Sequence, residues 1–406
     1  MDGDASTGPA PAEGRPPAVL QVVPSLVSGG VERGTVELAE ALTRAGWNAY
    51  VASAGGPMER LVARVGARHI KLPLAAKSPL ALRRNMQALI EVIRRNRVDI
   101  VHARSRAPAW SACWAAAATR RRFVTTFHNA YPADLPFKHR YNSVMARGER
   151  VIAISRFVGE HAAKEYGVGP DRLRVIPRGV DLLQFDPDRI TGDRVAKLAE
   201  QLRVPEDARV VVLPGRLTRW KGGLDFIDAV ARLGRRDLCC VFAGAEQRRG
   251  FRRELERAIK RHGLVGLFRI VEDCRDMAAA YQLADLVVSA STEPEGFGRV
   301  IVEAQAMGRP VIGTDHGGAR ETIAPGVTGW LVPPRDPSAL AAAIGEALAL
   351  DPEARAAFAR RARAHVAAEY SRQLMCERTI DVYEELLFPE VSERDPASAA
   401  PLALRA

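Results

Sequence analysis

The chain has 406 residues, too many for one hydrophobic core to serve, so two domains are the starting expectation. Its 47% hydrophobic and 26% charged residues are those of a soluble globular protein, and its apolar runs fall far short of the roughly 18–20 residues of a membrane-spanning helix. The net charge of +11 sits in one half: residues 1–195 carry 29 Lys or Arg against 18 Asp or Glu, and the remainder carries 30 of each. No nucleic-acid motif and no interleaving of aromatic with basic residues accompanies that excess, so an anionic partner or membrane surface fits it better than nucleic acid.

Residues 1–17 are rich in Pro, Ala and Gly and contain Asp2, Asp4 and Glu13. They lack the basic start and apolar core of a signal peptide and are expected to be disordered, in a protein that stays in the cytoplasm. From Val19 the pattern alternates between short apolar runs and helical periodicity. Strands are predicted at Val19–Pro24, Asn48–Ala52, Ala67–Leu72, Asp99–His102, Phe123–Phe127, Val151–Ile154 and Leu173–Ile176. Between them, helices are predicted over Thr35–Arg44, Leu80–Arg95, Ala109–Ala118, His139–Ala146 and Phe157–Glu165. Such alternation predicts a doubly wound parallel sheet with helices on both faces.

Around 178–209 the pattern breaks into Pro, Asp and polar residues and then restarts, which predicts a domain boundary, set at 195/196. Strands follow at Val210–Leu213, Leu238–Phe242, Phe268–Val271, Leu286–Ala290, Val311–Gly313 and Trp330–Val332, so the second domain, 196–370, is also α/β. After helices at Pro337–Leu350 and Pro352–Glu369, a further helix is expected over 371–388, and the Pro, Ala and Ser-rich end from 389 to 406 is expected to be disordered. The five cysteines, 113, 239, 240, 274 and 376, are odd in number and scattered without CxxC spacing, which argues against a disulfide framework and a zinc site.

The stretch Glu293–Thr314 organises the second half. A polar turn, Thr292-Glu293-Pro294-Glu295-Gly296, follows a buried strand, and from Phe297 the residues Val300, Ile301, Ala304 and Met307 recur at helical spacing up to Gly308. A helix amino terminus thus leaves the sheet edge, and the backbone N–H groups of Gly296, Phe297 and Gly298 suit an anion. Glu295 and Glu303 are expected about two turns apart on one helical side. A carboxylate so placed can accept two hydrogen bonds from a vicinal diol. Earlier, Gly215-Arg216-Leu217-Thr218-Arg219-Trp220-Lys221-Gly222 follows a strand and places Arg216 and Lys221 in one loop, where two cations suit a diphosphate. Ser28-Gly29-Gly30-Val31-Glu32 occupies the first strand-to-helix loop, where glycine lets backbone approach a ligand. His128 ends a strand and opens the polar loop Asn129-Ala130-Tyr131-Pro132. Asp186-Pro187-Asp188 has the outline of a metal-binding DxD, but with Pro at its centre and its place in a linker it reads as a turn.

The pattern EGFGxxxxEAxAxGxPVI over Glu295–Ile312 resembles the signature of the retaining nucleotide-sugar glycosyltransferases of family four. GRLxxxKG over Gly215–Gly222, the Gly-Gly-x-Glu of Gly29–Glu32 and Pro177-Arg178-Gly179-Val180-Asp181 strengthen the resemblance, with Arg178 where that family frequently has Asn. The resemblance implies the GT-B fold: an acceptor-side Rossmann-like domain (18–195), a donor domain (196–370) with a cleft between them, and a last helix crossing back to the first domain. It also implies that Glu303 holds the donor ribose, that Glu295 lies beside the donor sugar, that Arg216 and Lys221 hold the diphosphate, that Gly29 and Gly30 approach the donor phosphates, and that His128 contacts the sugar. Glu295 and His128 are the candidate catalytic residues.

The activity so implied is transfer of a sugar, with retention, from a nucleotide-diphosphate sugar to a glycan or lipid-linked acceptor in cell-envelope assembly. No cofactor and no metal are expected, since cations and a helix terminus can offset the phosphate charge. The first domain is expected to meet an anionic acceptor or the inner face of the cytoplasmic membrane. Arg83, Arg84, Arg94, Arg95, Arg97, the run Arg120–Arg122, and Lys138, His139 and Arg140 beside Phe137 and Tyr141 are its candidate contacts. Two alternatives share these motifs: a non-catalytic GT-B subunit that binds nucleotide sugar, and a GT-B epimerase.

Overall fold

A computed structural model describes residues 14–27, 29–131, 135–246 and 250–389. Ser28, Pro132 and most of both termini expected to be disordered lie outside these. The chain divides into two compact units, one comprising residues through Arg178 together with those from Gln373 onward, the other Gly179–Arg372.

The first unit alternates β1 (Ala18–Val22), α1 (Gly30–Arg44), β2 (Asn48–Ser53), α2 (Glu59–Arg64), β3 (Arg68–Lys71), α3 (Pro79–Arg95), β4 (Ile100–Ala103), α4 (Arg106–Thr119), β5 (Arg122–Phe127), α5 (Pro136–Asn142), β6 (Arg150–Ala153), α6 (Arg156–Tyr166) and β7 (Leu173–Val175). Its seven strands are all parallel, in the order β3-β2-β1-β4-β5-β6-β7. Central strands such as β1 and β4 are buried along their whole length, which is why they read as unbroken apolar runs rather than alternating ones. Helix starts carry their own signals: Ser78 accepts from the Ala81 N–H with Pro79 at the first helical position, and Ser155 accepts from Val158.

The second unit runs α7 (Gly192–Leu202), β8 (Arg209–Pro214), α8 (Gly223–Leu233), β9 (Leu238–Ala243), α9 (Phe251–Arg261), β10 (Phe268–Val271), α10 (Met277–Leu283), β11 (Leu286–Ser289), α11 (Arg299–Ala306), β12 (Val311–Thr314), α12 (Ala319–Thr322), β13 (Trp330–Val332), α13 (Pro337–Leu348) and α14 (Pro352–Glu369). Its parallel sheet has the order β10-β9-β8-β11-β12-β13. In each sheet the winding reverses beside the first strand, between β1 and β4 and between β8 and β11. The carboxyl edge at such a reversal is where open α/β sheets leave a crevice for a ligand.

Four expectations are corrected. The units part at Arg178/Gly179 rather than at 195/196. The segment read as linker contains α7, whose Leu198 and Leu202 are buried in an otherwise polar helix. The helix expected over His139–Ala146 is α5 followed by a 3-10 turn, Ser143–Arg147. Arg15, read as part of a disordered leader, is placed: its guanidinium makes hydrogen bonds of 2.9 and 2.6 Å to Asp99.

The last helix, α15 (Arg372–Leu387), contributes Met375, Cys376, Val382, Tyr383, Leu386 and Leu387 to the core of the first unit. Tyr383, fully buried, meets His102 with its hydroxyl 2.6 Å from Nδ1, and Glu385 pairs with Arg150 and Arg174. Asp186-Pro187-Asp188 is a 3-10 turn capped by Asp186, and both its carboxylates face Arg363.

Candidate active site

In the second unit the loops after β8 and β11 form one assembly at the sheet reversal. The β8 run Val-Val-Val-Leu-Pro is buried and ends at Gly215, after which the loop turns through Arg219–Lys221 into α8. Gly222 closes that turn at φ +72°, and a Cβ there would lie 1.8 Å from the Ala290 carbonyl oxygen, so only glycine lets this loop lie against the end of β11. The Trp220 carbonyl accepts the Thr292 N–H at 2.7 Å, and the Lys221 ammonium sits 4.6 Å from the Trp220 ring centre.

Lys221 Nζ lies 2.7 Å from Glu295 Oε1, with both side chains largely buried. The Ser291 hydroxyl donates to the same carboxylate. Burial alone would push the Glu295 carboxyl up, but Lys221, Ser291 and His316 together outweigh it and hold it below the usual glutamate range. Glu295 is therefore a carboxylate at neutral pH. It belongs to the loop before α11, not to the helix, so the expectation of Glu295 and Glu303 stacked on one helical side is corrected: only Glu303 lies in α11. The reason is Gly298, which caps the helix at φ +81° and turns the chain just ahead of Arg299.

Glu303 accepts from the Tyr281 hydroxyl at 3.0 Å and has Arg299 at 3.6 Å. Burial, reinforced by Glu303, pushes the Tyr281 phenol well above its ordinary value, so it stays a donor. Phe297 is buried beneath the loop against Tyr370. Gly296 precedes it. Arg216, on the same loop as Lys221, is exposed and makes no ion pair among the described residues. Of the two cations read as a diphosphate pair, Lys221 is thus already balanced by Glu295, while Arg216 faces solvent.

Sequence reading missed a third loop. After β12, the His316 Nε2 lies 2.8 Å from the Ser291 carbonyl, and the Gly318 N–H donates to the Glu295 carbonyl at 2.9 Å. His316-Gly317-Gly318 after a buried strand carries the same kind of signal as the two loops that were read. Tyr281 was missed too, since a tyrosine in an apolar helical run reads as core.

In the first unit, Gly29 caps α1 at φ +145° and Gly30 is its first residue. The Arg178 guanidinium donates to the Gly30 carbonyl and packs on Gly34, where a Cβ would come within 2.6 Å of it. Arg178 at the position frequently Asn in the resembled family therefore braces the Gly-Gly turn. His128 follows β5, and its backbone N–H donates to the Tyr131 hydroxyl at 3.3 Å. Burial, with help from Arg178, Arg104 and His102, holds the imidazole well below its ordinary pKa, so His128 is neutral. Both of its ring nitrogens are sealed from solvent.

The family described as Glycosyltransferase Family 4 matches residues 28–183, and Glycosyl transferases group 1 matches 195–365. A D-inositol 3-phosphate glycosyltransferase of Xylanimonas cellulosilytica is 35% identical over 225 residues, covering 54% of this chain and 53% of that protein. One of Geodermatophilus obscurus is 36% identical over 216 residues, covering 51% and 47%. The chain spans about half the length of these curated relatives. Among solved structures, a glycosyltransferase from Rickettsia africae superposes with a TM-score of 0.86 at 37% identity, covering 92% of this chain and 99% of that one. Anabaena Alr3699/HepE in complex with UDP-glucose superposes at 0.79 with 24% identity, covering 91% and 99%, a likeness of fold. With the signature loops placed at the sheet reversals and a relative matched along nearly its whole length, the chain belongs to glycosyltransferase family 4 and has the GT-B fold.

Proposed function

We propose that the chain transfers a sugar from a nucleotide-diphosphate sugar to a glycan or lipid-linked acceptor with retention of configuration. The observation that carries this reading is the joined loop pair of the second unit, in which the Lys221–Glu295 pair and the exposed Arg216 share one crevice edge. Arg216 and Lys221 would take the diphosphate, and the backbone of Gly296, Phe297 and Gly298 would approach it at the start of α11. The Glu303 carboxylate, oriented by Tyr281, would accept from the ribose diol. Glu295 would meet the donor sugar, its charge fixed by Lys221. In the first unit Gly29 and Gly30 would approach the phosphates, and His128, being neutral, would donate one hydrogen bond to the sugar without bringing a charge.

In a front-face course the departing phosphate itself accepts the acceptor's proton, so this reading assigns no side chain as general base. Cation pairing of the leaving group makes a metal unnecessary in this reading. A role in cell-envelope assembly at the inner face of the cytoplasmic membrane is supported by the basic first unit. Arg83, Arg84, Arg94, Arg95 and Arg97 are all exposed, as are Arg140 and the large side chain of Phe137. His139 and Arg122 are weaker candidates than the sequence suggests, since His139 stacks on Tyr166 and Arg122 pairs with Glu149. Among the described residues no helix is long and apolar enough to cross a membrane.

The reading is tested by steady-state kinetics. Glu303→Ala should chiefly lower donor affinity, whereas Glu295→Ala should chiefly lower turnover, because its partner lies at the reacting centre. Equal changes in both parameters for both variants would contradict these roles.

A further inference from the structure

Three loops of the second unit meet at Glu295, and the third of them, after β12, has no part in the donor assignment. Its backbone presses on the Glu295 loop. A Cβ at Gly317 would lie 2.5 Å from the Glu295 carbonyl oxygen, and one at Gly318 would lie 2.4 Å from Phe297 Cα, so glycine lets the two loops lie this close. The side chains of the third loop reach further back, to Ser291. The Ser291 carbonyl accepts from the Thr314 hydroxyl at 2.7 Å and stands 2.8 Å from His316 Nε2. The Ser291 hydroxyl, in turn, donates to the same Glu295 oxygen that receives Lys221. Ser291 and Thr314 are only 2% and 4% exposed, so these bonds are made out of bulk water, where they are stronger.

A carbonyl oxygen only accepts. His316 Nε2 therefore carries its hydrogen, and in the neutral ring Nδ1 holds the bare lone pair. That nitrogen is sealed from solvent and makes no hydrogen bond among the described residues, so the ring gives its one N–H to Ser291. A serine hydroxyl has three staggered positions, and a backbone pinned at its carbonyl keeps the one that meets Glu295. We propose that His316 is a positioning residue for Glu295: it pins the Ser291 peptide from the third loop, and Ser291 holds the Glu295 carboxylate toward the donor sugar. The donor sugar enters through the glycosyl-transfer reading; the hold on the carboxylate does not depend on it. Lys221 keeps Glu295 ionised, and the His316–Ser291 relay sets its direction.

Melting of the full chain from about pH 7 to about pH 3 tests the relay without substrate. Glu295, faced by Lys221 from the loop after β8 and by His316, is held below the usual glutamate range. Its contribution to stability is present above about 4.3 and is lost as pH falls through the lower folded-state value. His316→Ala and His316→Gln both lack the imidazole, so the ring's own titration drops out of the comparison. Gln restores a donor to the Ser291 carbonyl and Ala does not. The fall in melting temperature with acid should be smaller in His316→Ala than in His316→Gln by about 1–2 °C, and the difference should vanish when both are made in a Ser291→Ala background. Should His316→Ala not fold, His316→Asn, whose amide is too short to reach the carbonyl, takes its place. Equal falls in the two variants, or a difference that persists without the Ser291 hydroxyl, overturns the relay. In transfer from UDP-, GDP- or ADP-glucose, whichever raises the melting temperature most, His316→Ala should lower kcat about three- to tenfold with donor KM within about twofold, and His316→Gln should recover most of the loss. An unchanged kcat in His316→Ala overturns the sugar-facing role. If none of the three donors is used while acid melting still separates Gln from Ala, the transfer reading fails and the relay stands.

Discussion

At the scale of single residues, the Lys221–Glu295 pair decides more than either motif suggests alone. Arg216 is exposed and unpaired among the described residues, so Arg216→Ala should cost donor affinity about 1.5–3 kcal/mol, the loss of a charge-assisted hydrogen bond, and leave the melting temperature unchanged. Lys221→Ala should cost as much affinity and also lower the melting temperature, because it strands a buried carboxylate. The sign of the pH dependence follows from the depressed Glu295 pKa. Its contribution to stability is complete above the ordinary glutamate value of about 4.3 and is lost as pH falls through the lower folded-state value. Glu295→Gln should therefore lose less stability than the wild type over that acidic interval. Calorimetry and melting at several pH values check all three, and unaltered nucleotide affinity in both cation variants would remove the diphosphate assignment.

At the scale of elements, the strands were legible because both sheets are parallel and covered, so their buried runs are continuous and bounded by Gly, Pro and polar turns. The helix α7 was not, because Asp193, Arg194, Lys197 and Glu200 surround its few buried residues and the polar turn at Pro187 precedes it. The signature loops could be placed at strand ends, but their mutual contacts could not. That Glu295 leaves the helix and meets Lys221, and that Gly317-Gly318 presses on the same loop, depends on the strand order β8-β11-β12, which no local pattern states. The helix α15 could be seen from its periodicity, but not the contacts that anchor it, among them the buried pairing of Tyr383 with His102. Tyr383→Phe should cost about 1–3 kcal/mol, since it leaves His102 Nδ1 buried without its partner, and Tyr383→Ala about 3–5 kcal/mol through the cavity it adds. Denaturant unfolding measures both, and a Tyr383→Ala variant as stable as wild type would mean that α15 does not hold the first unit's core together.

At the scale of the whole molecule, the charge asymmetry remains the widest-reaching feature of the sequence. Each basic residue beside an anionic bilayer is worth about 1 kcal/mol and is screened by salt. Co-sedimentation should therefore show binding to anionic but not neutral vesicles, falling as ionic strength rises, and charge reversal at Lys138 and Arg140 should weaken it. Equal binding to both kinds of vesicle at low salt would point to an acceptor free in solution. The central claim is more demanding: one chain, with its donor loops in one unit and a neutral histidine and glycine turn in the other, moves a sugar and keeps its configuration. Incubating the wild type with the nucleotide sugar that stabilises it most, with and without an acceptor, and following the anomeric proton by NMR tests this directly. The account predicts release of the nucleoside diphosphate and a product of the donor's own anomeric configuration only when acceptor is present. An inverted product, or conversion of the donor to an isomeric sugar without acceptor, would contradict it.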